Sequence, residues 1–214
     1  MSGWSALVPQ KALARAKGRV PLPAPHRQAL AAAMLRDTVA ALASTRAVVH
    51  TFVLWDAPTD QAFFDSFPGT SHVATPGLGL NGSIEHGAVA ARAAFPGCPI
   101  VVVPADLPTL RPEELSRCLD RAAAHGRAFV ADANGLGTTI LTATGDTDLA
   151  PAYGPESAAA HAASGAVHLR DADLSSLRHD VDELSSLKLA LSAGYGANTV
   201  ACLAGIASAL ERTR

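Results

Sequence analysis

The chain carries four segments whose residue types bind phosphates or divalent cations, and the first is a basic loop with Lys11, Lys17 and Arg19 around Gly18. Two or three cations on such a loop can hold a triphosphate and stabilise charge that develops at a phosphorus atom. A solvated basic loop without a ligand explains the same residues. This basic loop contains neither the GxGxxG dinucleotide motif nor the GxxxxGK[ST] phosphate loop.

The second segment is glycine-rich and contains Gly79, Asn81 and Gly82. Backbone N–H groups at the start of a helix can bind a phosphate or a base edge, and Asn81 is a candidate for reading a base. The glycines predict irregular structure over Pro76–Ser83. The alternative is a plain turn in which Ser83 caps the following helix.

The third and fourth segments supply carboxylates. Asp106 follows the apolar run Pro99–Val103, and Asp180 and Asp182 lie at the end of a predicted strand, Leu177–Val181. Alternate residues of a strand share a face, so Asp180 and Asp182 would repel each other unless a cation lay between them. Carboxylate oxygens suit Mg²⁺. The alternatives are a turn aspartate for Asp106 and a helix cap for Asp182.

Two weaker signals lie near Thr138 and in the turn that contains Gly154 and Ser157. A threonine hydroxyl and the start of a helix can bind a small phosphate or carboxylate, although each is more often a plain turn. The histidines form no HxxxH or HExxH pattern, so His161 and His168 are interpreted as ordinary surface or core residues.

The elements that must position these residues alternate between strands and helices, which predicts an α/β fold with a mainly parallel sheet flanked by helices. The second half is expected to add a small mixed or antiparallel extension, and residues 1–214 are interpreted as one domain. Ligands of such sheets bind at the carboxyl ends of the strands, where the four segments would meet. The predicted strands are Ser5–Pro9, Val48–Leu54, Ser71–Thr75, Pro99–Val103, Ala128–Ala131, Thr138–Thr142, Val167–Leu169 and Leu177–Val181. The predicted helices are 26–43, 83–95, 111–125, 156–163, 183–193 and 197–212, with a short helix or turn over 58–67.

Composition excludes several classes of protein. With 214 residues, 49% of them hydrophobic and 17% charged, the chain is too apolar to be disordered. A net charge of −2 argues against a nucleic-acid partner. Three dispersed cysteines argue against a zinc site and favour a reducing compartment. Without a signal-peptide pattern or a long apolar run, we expect a cytoplasmic protein with no membrane partner.

Taken together in this order, the segments resemble the CofC/FbiD guanylyltransferases of coenzyme F-420 biosynthesis, in particular their actinobacterial FbiD-like branch. The resemblance implies a Rossmann-like (GT-A type) nucleotidyltransferase fold and GTP as donor. It implies phosphoenolpyruvate as acceptor, or 2-phospho-L-lactate in the archaeal branch, and a downstream deazaflavin transferase as functional partner. The matching segments are VPQKALARAKGRV (8–20), GLNGSIEHG (79–87), VVVPADLPTL (101–110), FVADANGLGTTIL (129–141), YGPESAAAHAASGAVHL (153–169) and LRHDVDELSSLKLAL (177–191).

The resemblance also implies roles for individual residues. It assigns Mg²⁺ binding to Asp106, Asp180 and Asp182, and acceptor binding to Thr138, Gly154 and Ser157. Lys11, Lys17 and Arg19 match the basic loop at the triphosphate, with Lys17, Arg19 and Asp106 as catalytic residues. One departure from the family pattern is Ala105, where the family often has glycine. The methyl group of Ala105 could crowd the nucleotide.

Other interpretations stay open at this point. A molybdopterin-type guanylyltransferase should have a glycine-rich loop after the first strand, where this chain has Pro9–Ala12. A GT-A glycosyltransferase would carry its Asp-x-Asp pair centrally, and a non-catalytic nucleotide-binding protein would be expected to lose the carboxylates. The motif residues do not choose between the two acceptors. The last helix can pack on the core or on a second copy, so a homodimer is also open.

Overall fold

A computed structural model of the chain describes residues 3–13, 17–18, 20–56, 63, 66–67, 69–170, 172–181, 194 and 196–211. Its strands are β1 Trp4–Gln10, β2 Val48–Trp55, β3 Thr70–Ala74, β4 Ile100–Val102, β5 Arg127–Ala131, β6 Thr138–Ala143 and β7 Val167–His168. Its helices are α1 Ala24–Ser44, α2 Gly79–Ala94, α3 Pro112–Ala122, α4 Ser157–Ala163 and α5 Ala197–Glu211, with a 3₁₀ segment at Ala172–Leu177.

The strands form one seven-stranded sheet in the order β3-β2-β1-β4-β6-β5-β7. β1 pairs in parallel with both β2 and β4, whereas β6 runs antiparallel to both β4 and β5. The predicted α/β class, with a mainly parallel sheet and an antiparallel addition in the second half, is therefore confirmed. Strand order reverses at β1, which is where ligands bind in open α/β sheets.

Alternation along β1 divides the core into two layers. Ala6 and Val8 face one side of the sheet and pack with Leu35 of α1. Leu7 points to the other side and packs with Ile84 of α2. Because successive strand residues point to opposite faces, this continuous apolar strand is buried on both sides and forms the rigid centre of the sheet.

Two predictions about local structure are wrong. The predicted strand Leu177–Val181 is instead the end of the 3₁₀ segment followed by irregular chain. Leu174, Leu177 and Val181 are fully buried, so the apolar pattern reports burial and not strand pairing. Leu174 and Leu177 pack into the same core cluster from this kinked 3₁₀ segment, while both edges of β5 are already occupied by β6 and β7.

The other wrong prediction concerns Pro76–Ser83, which is not irregular throughout because α2 already begins at Gly79. The Ser83 hydroxyl donates to the backbone carbonyl of Gly79 one turn earlier and does not cap the helix. Most of 58–67, where a short helix or turn is predicted, and all of the predicted helix 183–193 lie outside the described residues.

The C-terminal helix α5 packs against α1 of the same chain. The Asp37 carboxylate of α1 accepts hydrogen bonds from the backbone N–H groups of Asn198 and Thr199, at 3.0 and 2.8 Å, and from the Asn198 side-chain amide at 2.8 Å. Helix α5 is therefore anchored on α1 of the same chain. Among the described residues, no helix combines the length and apolar character that crossing a bilayer requires.

Candidate active site

A cavity of about 770 Å³ opens at the carboxyl ends of β1, β2 and β4. Because β6 runs antiparallel to β4, its first residue, Thr138, lies at this same edge. The cavity brings together most of the residues predicted to bind substrates or metal. Those that line it are Lys11, Lys17, Gly79, Asp106, Thr138, Gly154, Ser157 and Asp180.

Lys17 places a cation directly on a predicted metal-binding carboxylate. Its ammonium group donates to the Asp106 carboxylate and to the backbone carbonyl of Val181. The Lys17 side chain is only 7% exposed, against 22% for Asp106, and its backbone is left-handed with φ +55°. A non-glycine residue in that conformation is uncommon, and such strain concentrates at functional sites. Lys11 is exposed at the cavity, and Arg19 lies outside the described residues.

The two described carboxylates of the predicted metal site, Asp106 and Asp180, both line the cavity. The N–H of Val181 donates to the carbonyl of Asp106 at 3.0 Å, which joins the two segments. Asp180 follows irregular chain, so the reasoning from a shared strand face does not apply, and Asp182 lies outside the described residues.

The donor chemistry of this pair fits Mg²⁺. In the part of the chain that the structure describes, no group of three or more His, Cys, Asp or Glu residues converges on one point. Mg²⁺ needs no such cage, since it is commonly held by one or two carboxylates together with substrate phosphates. Asp106 and Asp180 are carboxylates of the kind that such an ion takes as protein ligands.

The start of α2 contributes Gly79 and Leu80 to the cavity lining, whereas Asn81 and Gly82 are not part of it. Both ends of the Asn81 amide are engaged by one residue. Its Nδ2 donates to the Tyr153 carbonyl at 3.0 Å, and its Oδ1 accepts from the Tyr153 N–H at 2.9 Å. Asn81 thus ties α2 to the turn that carries Gly154, and its reading of a base stays a prediction.

The predicted acceptor-binding residues form the other side of the cavity. Thr138 Oγ1 lies 2.9 Å from His161 Nδ1, and Ser157 is the buried first residue of α4. Gly154 has φ +156°, a conformation that L side chains rarely adopt. Tyr153 also lines this side, and burial raises its pKa well above the usual range.

Several cavity residues were not predicted. Asp56 follows β2 directly and accepts from the Ala12 N–H at 2.7 Å, which holds the start of the basic loop. Asp132 follows β5 and accepts from the Leu136 N–H at 3.0 Å. Both lie at carboxyl ends of strands, so the rule that identified Asp106 could have found them.

Ala105 is compatible with the site backbone. The described non-glycine residues with positive φ are Lys17, Ala150 and Glu156, so Ala105 adopts an ordinary conformation in which a methyl group costs no backbone strain. Ala105 is 8% exposed, packs with the core and is one of the residues that line the cavity.

The fold is that of nucleotide-processing transferases. A putative nucleotide-diphospho-sugar transferase from Desulfovibrio desulfuricans G20 superimposes with a TM-score of 0.72, covering 99% of this chain and 98% of that one at 16% identity. A 4-diphosphocytidyl-2C-methyl-D-erythritol synthase gives 0.58, with 90% and 98% covered at 14% identity. A Mycobacterium tuberculosis H37Rv protein solved as a complex with manganese gives 0.55, with 89% and 99% covered at 19% identity.

Within this class, the chain belongs to the family described as guanylyl transferase CofC like, whose sequence model matches residues 4–181. It is 45% identical to a phosphoenolpyruvate guanylyltransferase of Thermomonospora curvata, over 94% of this chain and 89% of that protein. It is 44% identical to the enzyme of the same name from Streptomyces coelicolor, over 94% and 96%. The resemblance stated from the motifs is confirmed.

Proposed function

We propose that this protein transfers GMP from GTP to phosphoenolpyruvate, giving enolpyruvyl-diphospho-5′-guanosine and pyrophosphate. The observation that carries the proposal is a cavity lined by the buried Lys17 side chain, by the carboxylates of Asp106 and Asp180 and by the polar residues around Thr138. Relatives named for this activity align over nearly the whole chain, which supports the choice of substrates.

The reaction is an in-line attack of an acceptor phosphate oxygen on the α-phosphorus of GTP, with pyrophosphate as leaving group. A phosphate dianion is already nucleophilic near neutral pH, so no side chain has to remove a proton. The residues of the chain act by position and charge: Lys17 supplies positive charge beside Asp106, and the start of α2 offers backbone N–H groups at Gly79.

Asp106 and Asp180 would hold Mg²⁺, and the resemblance adds Asp182 to this set. When bound, the ion would neutralise phosphate charge and fix the line of approach. Without it, the Lys17 ammonium already neutralises the Asp106 carboxylate. A cation that binds Asp106 therefore competes with Lys17 for the same carboxylate, and we propose that Lys17 then binds the triphosphate.

The acceptor is assigned to the side of the cavity formed by Thr138, Gly154 and Ser157. Phosphoenolpyruvate and 2-phospho-L-lactate share the phosphate and carboxylate that these residues would bind. The names of the relatives favour phosphoenolpyruvate, and the lactate analogue is the second candidate.

We place the reaction in coenzyme F-420 biosynthesis in the cytoplasm, where a deazaflavin transferase consumes the product. Three free cysteines, Cys98, Cys118 and Cys202, support a reducing compartment.

The test is pyrophosphate release with Mg²⁺, comparing GTP with ATP and phosphoenolpyruvate with 2-phospho-L-lactate, with a deazaflavin transferase present to trap unstable products. We expect turnover with GTP and phosphoenolpyruvate, and its loss in Asp106→Asn. A folded protein that binds GTP but turns over neither acceptor would overturn the proposal.

A further inference from the structure

His161 is a buried imidazole with both ring nitrogens engaged. It lies on α4 with no exposed surface and makes an edge contact with the Tyr153 ring, at 5.2 Å between centroids. Its Nε2 lies 2.9 Å from the backbone nitrogen of Ala152. A backbone N–H can only donate, so Nε2 must be the unprotonated acceptor.

This contact fixes the tautomer. A neutral imidazole with a lone pair on Nε2 carries its proton on Nδ1. Burial and the nearby Arg127 guanidinium lower the pKa of His161 to about 4, and the backbone at Ser157 partly opposes this shift. The ring is therefore neutral at physiological pH, in agreement with the acceptor role of Nε2.

The tautomer in turn fixes the role of the Thr138 hydroxyl. Because the proton is on Nδ1, the ring donates to Thr138 Oγ1 across 2.9 Å. The hydroxyl then keeps its own proton for another acceptor, and Thr138 lines the cavity. Among the described residues, this hydroxyl has no second hydrogen-bond partner.

We propose that His161 is a positioning residue that holds Thr138 as a hydrogen-bond donor toward an anionic oxygen of the three-carbon acceptor. This inference rests on the proposed function and deepens it. A hydroxyl can otherwise rotate to donate or accept, and a phosphate or carboxylate only accepts. By occupying the acceptor side of the hydroxyl, His161 presets Thr138 for an anion before the acceptor binds.

A matched pair of substitutions separates positioning from packing. Asparagine can place an amide donor near the position of Nδ1 and so retain the bond to Thr138. Glutamine can place an amide oxygen near the position of Nε2 and so retain the bond from Ala152. Each variant loses one buried hydrogen bond, so a purely structural role predicts similar effects from both. The turn after Ala152 remains tied to Asn81 in either variant.

Steady-state kinetics with GTP and phosphoenolpyruvate provide the test. We expect His161→Gln to raise the KM for phosphoenolpyruvate about tenfold, the effect of one hydrogen bond, with kcat and the KM for GTP within about threefold of the wild-type values. His161→Asn should leave all three within about threefold. Thr138→Val should match His161→Gln, and Thr138→Ser should restore the wild-type KM.

Two further measurements complete the test: the kinetics of the double variant of His161 and Thr138, and a ¹⁵N NMR spectrum of the imidazole. If His161 acts through Thr138, adding His161→Gln to Thr138→Val leaves the KM unchanged, whereas multiplied effects would overturn the inference. ¹⁵N NMR of the imidazole should show a protonated Nδ1, and a protonated Nε2 would also overturn it. A wild-type protein inactive with both acceptors would overturn the proposed function and this inference together. Wild-type activity with equal effects of the two His161 variants would overturn the inference alone.

Discussion

Replacing Asp106 by asparagine should both destabilise the protein and abolish its activity. The carboxylate accepts a charge-assisted hydrogen bond from Lys17, whose side chain is 7% exposed, while Asp106 is 22% exposed. Hydrogen bonds to charged groups contribute roughly 1.5–3 kcal/mol, and removal of one partner leaves the other charge poorly solvated. We expect Asp106→Asn and Lys17→Met each to lower the free energy of unfolding by about 2 kcal/mol.

The double variant tests whether the two residues act as a pair. Because it leaves no unpaired charge, it should be more stable than the sum of the two single losses by on the order of 1–2 kcal/mol. All three variants should lose at least about 100-fold in turnover, the typical effect of removing a group that stabilises transition-state charge.

Urea unfolding followed by circular dichroism in metal-free buffer measures the first effect, and pyrophosphate release measures the second. Asp120→Asn is a matched control, since it makes the same chemical change at an exposed position of α3. Its stability should change by less than about 0.5 kcal/mol, with full activity. Additive losses in the double variant, or Asp106→Asn activity within about threefold of wild type, would refute the reasoning.

Three further predictions follow from single contacts. Asn81→Leu should raise the KM for phosphoenolpyruvate about tenfold, because it removes both hydrogen bonds to the Tyr153 backbone and so frees this turn. The preference for GTP over ATP should stay unchanged. A changed preference in kinetic assays would instead show that Asn81 reads the base. The burial of His161 lowers its pKa from 6.5 to about 4, so its contribution to stability is complete above pH 6.5 and is lost as the pH falls toward 4. Urea unfolding at several pH values should show that the free energy of unfolding of the wild type falls by on the order of 3 kcal/mol between pH 6.5 and 4, and that His161→Asn removes this fall. The same pH dependence in the wild type and in His161→Asn would contradict the assignment. Asp37→Ala should lower the free energy of unfolding by about 1–3 kcal/mol by releasing the start of α5, whereas an unchanged urea midpoint would show that this anchor is dispensable.

The sequence predicts most of the sheet because its signals are local. The apolar run at Pro99–Val103 predicts β4 and, through the strand-end rule, the placement of Asp106. The wrong predictions arise where one local signal has two structural solutions. Glycines at 79 and 82 usually break a helix but are accommodated in the first turn of α2, and the burial of Leu177 is achieved by a 3₁₀ turn.

The contacts that define the site could not be predicted in this way. Lys17 and Asp106 are 89 residues apart in sequence, and Asn81 and Tyr153 are 72 apart. Nothing in the local sequence around His161 distinguishes it from an ordinary core histidine, because its role depends on Thr138 in another element and on the N–H of Ala152. Only the folded chain shows which hydrogen-bond partners are present.

The most direct test of the proposed guanylyl transfer is to identify the product by mass spectrometry and ³¹P NMR after incubation with GTP, phosphoenolpyruvate and Mg²⁺. We predict one pyrophosphate per product, and a new diphosphate in which one phosphorus comes from the α-position of GTP and the other from phosphoenolpyruvate. The incubation should include a deazaflavin transferase that is active and consumes the product. Under these conditions, two results would contradict the account: GMP or GDP recovered with unchanged phosphoenolpyruvate, or GTP recovered unchanged.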